Sequence, residues 1–194
     1  MSNNQLLDYY GIEYLYHMTH VNNLQSIMKY GLQAHDNGHK KVDISDCDVN
    51  SRRSRKEPIY HKSIHSYVPF YFNPKNNMLS RRRNIQNDIV ILVFKRDLMQ
   101  KNGTLFTDSN ASTNRAKFYN NLKDLNKLNF KCIYTKGYYS GYEDGANKRM
   151  AEVLVPTKVN SNSIEAIICN NSNAKNKVSS ISSKKTIVNS NFYF

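Results

Sequence analysis

Glu152 poses the first chemical question in this chain. It stands in "RMAEVLVP", where Ala151, Val153 and Val155 alternate toward one face and Glu152 and Leu154 toward the other, directly after a glycine- and tyrosine-rich segment, residues 137–147. A carboxylate fixed on a strand beside a flexible loop is poorly explained by packing and is a candidate for acid–base or charge-stabilising work. His17 and Thr19 pose the second question. In "EYLYHMTHVNNLQSIMKYGL" they end a strand-like run and face the start of a short amphipathic helix, a junction that suits phosphates or ribose hydroxyls. His35/His39 and His61/His65 repeat at i, i+4, which on a helix would offer two imidazoles to one metal. They lie in irregular sequence with no HExxH and no accompanying carboxylate pair, so no metal is expected. Neither GxSxG, a P-loop nor GxGxxG occurs, which leaves serine nucleophiles, ordinary nucleotide hydrolysis and Rossmann redox chemistry without support.

The elements that must hold these groups read as an α+β fold. Asn22 is placed to cap a helix with Gln25 at its third position, Leu24, Ile27 and Met28 form the buried face, and Gly31 supplies the stop. Residues 33–66 are polar and basic and are expected as mobile loops with short helical turns. "YVPFYF" is a β-rich aromatic run whose Pro69 lacks an N–H, which predicts an edge position or a bulge. "DIVILVFK" is apolar on both faces, as a doubly covered central strand would be. A short helix is expected over 97–101, closed by Gly103, and another over 113–125 from Phe118, Leu122 and Leu125. Beyond Glu152 the pattern predicts a strand in "SIEAIIC", an irregular connector over 170–183, and a final pair of short strands in "KKTIVNSNFYF".

Composition bounds the function. The 194 residues, 39% of them apolar, suffice for one domain with a real core over 1–194, and no internal repeat divides them. The longest apolar run, Ile89–Phe94, is far too short for a membrane span, which needs roughly 20 residues. "MSNNQLLDYY" lacks the features of a secretion signal, and Cys47, Cys132 and Cys169 fit reduced thiols, so a cytoplasmic location is expected. The net charge of +13, clumped in Arg52-Arg53-Ser54-Arg55-Lys56, Arg81-Arg82-Arg83 and Lys148-Arg149 and interleaved with 14 tyrosines, points to an anionic partner with bases to stack.

"YHMTHVNNLQSIMKYGL", "HSYVPFYFNPKNNML", "IVILV", "LFTDSNA", "MAEVLVP" and the terminal "FYF" occur in the order and at about the spacing of the DarT family, which the chain resembles from Tyr16 to Phe194. These are bacterial toxins, similar in fold to poly-ADP-ribose polymerases, that transfer ADP-ribose from NAD onto a base of single-stranded DNA. The resemblance implies a split mixed/antiparallel sheet with flanking helices. It implies NAD as donor, no metal, single-stranded DNA as partner, a DarG-like macrodomain antitoxin, and a monomer without membrane attachment. Glu152 matches the family's catalytic glutamate, which would stabilise the positive charge that develops on the ribose and accept the proton of the attacking base nitrogen. An arginine of the first basic clump should assist. Arg52, Arg53 and Arg55 are available; counting from Val49 favours Arg52, whereas counting back from Tyr67 leaves the choice open. His17 and Thr19, with Asn23, Gly31 and Leu32, should hold NAD, and an aromatic of "YVPFYF" should stack on nicotinamide, Tyr71 in preference to Phe70. Arg55, Lys75, Arg81, Arg82, Arg83, Tyr138, Tyr139, Tyr142, Lys148 and Arg149 are the expected nucleic-acid contacts. Thymidine is the expected base, with guanosine, RNA or protein as alternative acceptors and a silent nucleic-acid-binding module as the alternative class.

Overall fold

A computed structural model of the chain describes residues 1–35, 42–45, 47–136 and 139–194, and the side chains of all these except 47–49. In chain order the elements are α1 (Asn3–Tyr9), β1 (Tyr14–His20), α2 (Leu24–Tyr30), β2 (Leu32–Gln33), α3 (Cys47–Arg52), β3 (Tyr67–Tyr71), α4 (Asn77–Ser80), β4 (Ile89–Lys95), β5 (Leu105–Thr107), β6 (Phe118–Tyr119), α5 (Phe130–Tyr134), α6 (Gly145–Lys148), β7 (Glu152–Pro156), β8 (Lys158–Val159), β9 (Ile164–Cys169), α7 (Ser172–Ser179) and β10 (Thr186–Val188). Among the described residues no helix is long and apolar enough to cross a membrane.

Eight strands form one mixed sheet in the order β10-β9-β4-β1-β3-β7-β5-β6, and β2 pairs with β8 beside it. Strand β4 lies between β1 and β9, and Ile89 to Phe94 are all buried, as its two-sided apolar run demands. One face of the sheet packs Leu15, Leu92, Phe94, Val153 and Val155 against Leu24 and Ile27 of α2. The other gathers Met18, Ile91, Val93, Tyr71 and Tyr193.

The sheet is split between its two central strands. Seven residue pairs join β1 to β4, from Tyr14↔Lys95 to His20↔Ile89, but β1 meets β3 only at Tyr16↔Tyr71. Pro69 lies within β3, which has neighbours on both sides, and not at a sheet edge as its sequence suggests. The split is what accommodates it. Its carbonyl is reached from the β1 side by His17, and since one residue's N–H and C=O point to the same side of a strand, the missing N–H faces the gap where no ladder exists.

Other expectations change. Helix α2 begins at Leu24 rather than after Asn22, and the turn before it is capped by His20, whose Nδ1 accepts from the Asn22 N–H at 3.1 Å. Gly31 ends α2 at φ 82°, and a Cβ there would sit 2.8 Å from the Val159 carbonyl, so only glycine fits. The helix expected over 113–125 is absent. Phe118 and Tyr119 pair with β5, and Leu122 and Leu125 lie in a separate 3-10 turn, Leu122–Lys127. Conversely, the expected connector contains α7, capped by Asn171 and docked by Ala174 and Val178. The final pair of strands reduces to β10, followed by a 3-10 turn at Ser190–Phe192.

Candidate active site

The split opens into a cleft of ≈ 310 Å³ lined by the ends of β1, α2 and β3, the loop carrying Val42–Ser45, the start of α4, and Asn110–Thr113. His17 is one of its lining residues. Its Nδ1 lies 2.8 Å from the Pro69 carbonyl, which can only accept, so Nδ1 carries a proton and donates. Thr19, Gly31, Leu32 and Tyr71 line the same cleft. Asn23 also borders it, but its amide braces the wall: Nδ2 donates to Thr19 Oγ1 at 3.1 Å and to the Val42 carbonyl at 2.7 Å, and Oδ1 accepts from the Val42 N–H at 2.8 Å. Asn23 therefore ties β1 to the segment at Val42 in the wall of the cleft.

Glu152 lies at the start of β7, opposite Tyr71 in the register, and is fully buried. Arg53 Nη1 spans its carboxylate, 2.9 Å from Oε2 and 3.2 Å from Oε1, and the Ala111 N–H donates to Oε1 at 3.0 Å. Its own N–H donates to Thr107 Oγ1 at 3.1 Å. The segment 107–111, quoted in "LFTDSNA" but assigned no role from sequence, thus holds the glutamate in place. Its signal was a run of small polar residues leaving a strand, which favours tight turns with inward N–H groups. Burial pushes the Tyr71 phenol well above its ordinary range, the Glu152 charge adds to this and Arg53 opposes it, so Tyr71 is a neutral ring at physiological pH.

The arginine that meets Glu152 is Arg53, which corrects the preference for Arg52. Arg52 ends α3 and is exposed at the cleft rim. Arg55, expected to bind nucleic acid, turns inward and donates to the carbonyls of Ala111 (2.9 Å) and Thr113 (2.5 Å). Phe70 is fully buried on the opposite side of β3 from Tyr71, edge-on to Phe94, and does not line the cleft. Arg53 Nη2 and Ser112 Oγ, both on residues lining the cleft, are buried without a hydrogen-bond partner, so the site has polar capacity for a ligand.

The basic clumps divide by function. Arg82 donates to the carbonyls of Ile44 and Ser45, both at 2.8 Å, and Arg149 is buried among the carbonyls of Lys75, Cys132 and Thr135. Both use part of their guanidinium to staple loops together, a structural role that the expectation of phosphate contacts did not include. Arg81 lines the cleft and Arg83 is exposed beyond it. Lys75 reaches the Asn191 carbonyl at 3.1 Å, and Lys148 is half-buried beside Phe130 and Lys131. The Tyr139 hydroxyl donates to Asn77 Oδ1 and its ring lies under Arg149, whereas Tyr142 is half-buried on the same loop. Tyr138 and His39 fall outside the described residues. His61 has φ 58° and shares no helix with His65; instead His35 and His65 stack at 4.4 Å and bond to Asn50. Among the described residues, no three groups of metal-ligating type converge.

The family model for the single-stranded-DNA thymidine ADP-ribosyltransferase DarT matches residues 16–194. The chain belongs to the DarT family of DNA ADP-ribosyltransferases. It is 30% identical over 154 residues to a DNA ADP-ribosyl transferase of Thermus sp. 2.9, covering 73% of each protein. The structure of DarT from Thermus sp. 2.9 with ADP-ribosylated single-stranded DNA superposes with a TM-score of 0.86 at 25% identity, over 95% of this chain and 97% of that one. The same DarT with NAD+ superposes at 0.82. A transferase–glycohydrolase fusion of Thermosipho africanus is 27% identical over 161 residues, 79% of this chain and 41% of the fusion. This chain therefore spans less than half of that fusion's length.

Proposed function

We propose that this protein transfers ADP-ribose from NAD to thymidine in single-stranded DNA and acts as the toxin of a toxin–antitoxin pair. The observation that carries the reading is the Arg53–Glu152 pair, in which Arg53 lines the cleft with His17 and Tyr71 and the buried Glu152 is held directly behind it by Arg53 and the Ala111 N–H. In this reading His17 and Thr19 grip the ribose next to nicotinamide, Gly31 and Leu32 shape the adjoining wall, and Tyr71 stacks on the nicotinamide ring. The bond between nicotinamide and the ribose C1′ breaks with its electron pair leaving on nicotinamide, and Glu152 stabilises the cationic ribose. The base nitrogen then bonds to C1′ and its proton passes to Glu152. Arg53 holds the carboxylate in place through Nη1, and its unpaired Nη2 supplies a donor for an oxygen of the incoming base. Arg81, Arg83 and Lys75 meet DNA phosphates, and Tyr139 and Tyr142 border the incoming strand.

An enzyme that marks DNA in its own cell needs a partner that removes the mark. The Thermosipho africanus fusion with a DNA ADP-ribosyl glycohydrolase supports a DarG-like macrodomain protein in that role. Labelled NAD offered with separate DNA, RNA and protein pools tests the reading: label should enter single-stranded DNA containing thymidine, and label entering only RNA or protein would overturn it.

A further inference from the structure

Residues 193 and 194 display an aromatic ring beside the residues that flank α4 in a way that packing does not explain. Tyr193 is buried, and its hydroxyl bonds to the carbonyls of Ile89 at 3.0 Å and Ile168 at 2.8 Å, tying it to β4 and β9. Gln86 clasps the next residue on both sides: Nε2 donates to the Phe194 carbonyl at 2.7 Å and Oε1 accepts from its N–H at 3.1 Å. On this fixed backbone Phe194 stays 41% exposed. Two cations lie over its ring, the Arg83 guanidinium carbon at 4.9 Å from the centroid and Lys75 Nζ at 5.3 Å. Lys75 and Arg83 bracket α4, whose Asn77 and Met78 line the cleft together with Arg81, so one short helix joins the ring's surroundings to the cleft wall.

We propose that Phe194, with Lys75 and Arg83, is a stacking platform for a nucleotide of single-stranded DNA flanking the one that enters the cleft. The inference rests on the DNA-transfer reading above and extends it to residues outside the cleft. An exposed aromatic held among cations suits single strands, because every base has a π-face and every linkage a phosphate. Both cationic side chains are long and flexible, so a base can take one face of the ring while the displaced cation moves onto the adjoining phosphate.

The chain contains no tryptophan, so Phe194→Trp installs a single fluorescent reporter on the platform. Titration with a thymidine-containing oligonucleotide, without NAD, should quench its emission along the same curve as the anisotropy of a labelled oligonucleotide. Abasic residues flanking the thymidine should abolish the quenching. Phe194→Ala should raise KM for the oligonucleotide about tenfold, Phe194→Leu should behave alike, and Phe194→Trp should restore the parental value. Unchanged emission at saturating oligonucleotide, or a parental KM in the alanine and leucine variants, would overturn the platform while leaving transfer by the parent intact. Failure of the parent to modify DNA at all would instead remove the underlying reading.

Discussion

Replacing Glu152 with glutamine keeps the side chain's shape and removes only its charge, so the consequences separate into two magnitudes. In the folded protein the fully buried carboxylate has Arg53 Nη1 at 2.9 Å, and the arginine side chain is only 12% exposed. Stripping one partner from an enclosed ion pair costs roughly 3–5 kcal/mol; Arg53 retains some access to water, so about 2–3 kcal/mol is expected. For a chain of this length that corresponds to a fall in Tm of about 5–10 °C. The catalytic loss is separate: a carboxylate acting on charge present only in the transition state contributes about 3 kcal/mol or more, a hundredfold or greater fall in single-turnover rate. Arg53→Ala should destabilise comparably, and the double variant should lose less than the sum, because neither charge is then stranded. Calorimetry and single-turnover transfer on the same preparations measure both quantities. Transfer by folded Glu152→Gln within about threefold of the parent, or strictly additive losses of stability, would refute the reasoning.

Arg149→Ala should lower stability by about 2–3 kcal/mol, since its donors satisfy one buried and two part-buried carbonyls, and leave the salt dependence of DNA binding unchanged. Lys75→Ala and Arg83→Ala should instead each reduce the salt slope by about one, as titrations from low to high salt would record. Glu57 is buried, which alone would raise its pKa, yet the N–H groups of Lys62, Tyr60 and Ile59 and the Tyr67 hydroxyl hold it below the usual carboxylate value of 4.5. Its stabilising contribution is thus complete above that value and lost as pH falls through the lower folded one; Glu57→Gln should flatten this acid limb in unfolding measured against pH. Transfer activity should persist in excess chelator, and its loss, restored by added metal, would reinstate a histidine metal site.

The legible parts of the fold were those where one physical demand dominates. Ile89–Phe94 could only be a covered strand, Ala151–Val155 announced its two faces, and Gly31 marked a backbone turn that other residues cannot make. Phe118, Leu122 and Leu125 misled because their spacing imitates a helical stripe, whereas Phe118 pairs in a strand and the leucines sit in a 3-10 turn. Helix α7 was hidden because only Ala174 and Val178 need burial, and its other positions read as polar connector. His17, Thr19 and Glu152 stood out by type and position and Tyr71 by the resemblance; the structure puts His17, Thr19 and Tyr71 on the cleft's lining and Glu152 behind Arg53. The choice among Arg52, Arg53 and Arg55 was not, because three like side chains in four positions are told apart only by which way the end of α3 turns them. The inward roles of Arg55, Arg82 and Arg149 were equally hidden: a guanidinium that caps carbonyls has the same sequence signature as one that meets phosphate.

The most direct test of the central claim is mass spectrometry of a single-stranded oligonucleotide with one thymidine after incubation with this protein and NAD. The expected product carries one ADP-ribose on the thymine base, with one nicotinamide released for each modified strand, and no product forms when that thymidine is replaced by cytidine. ADP-ribose on another base or on a terminal phosphate, or nicotinamide released with no modified strand, would contradict it.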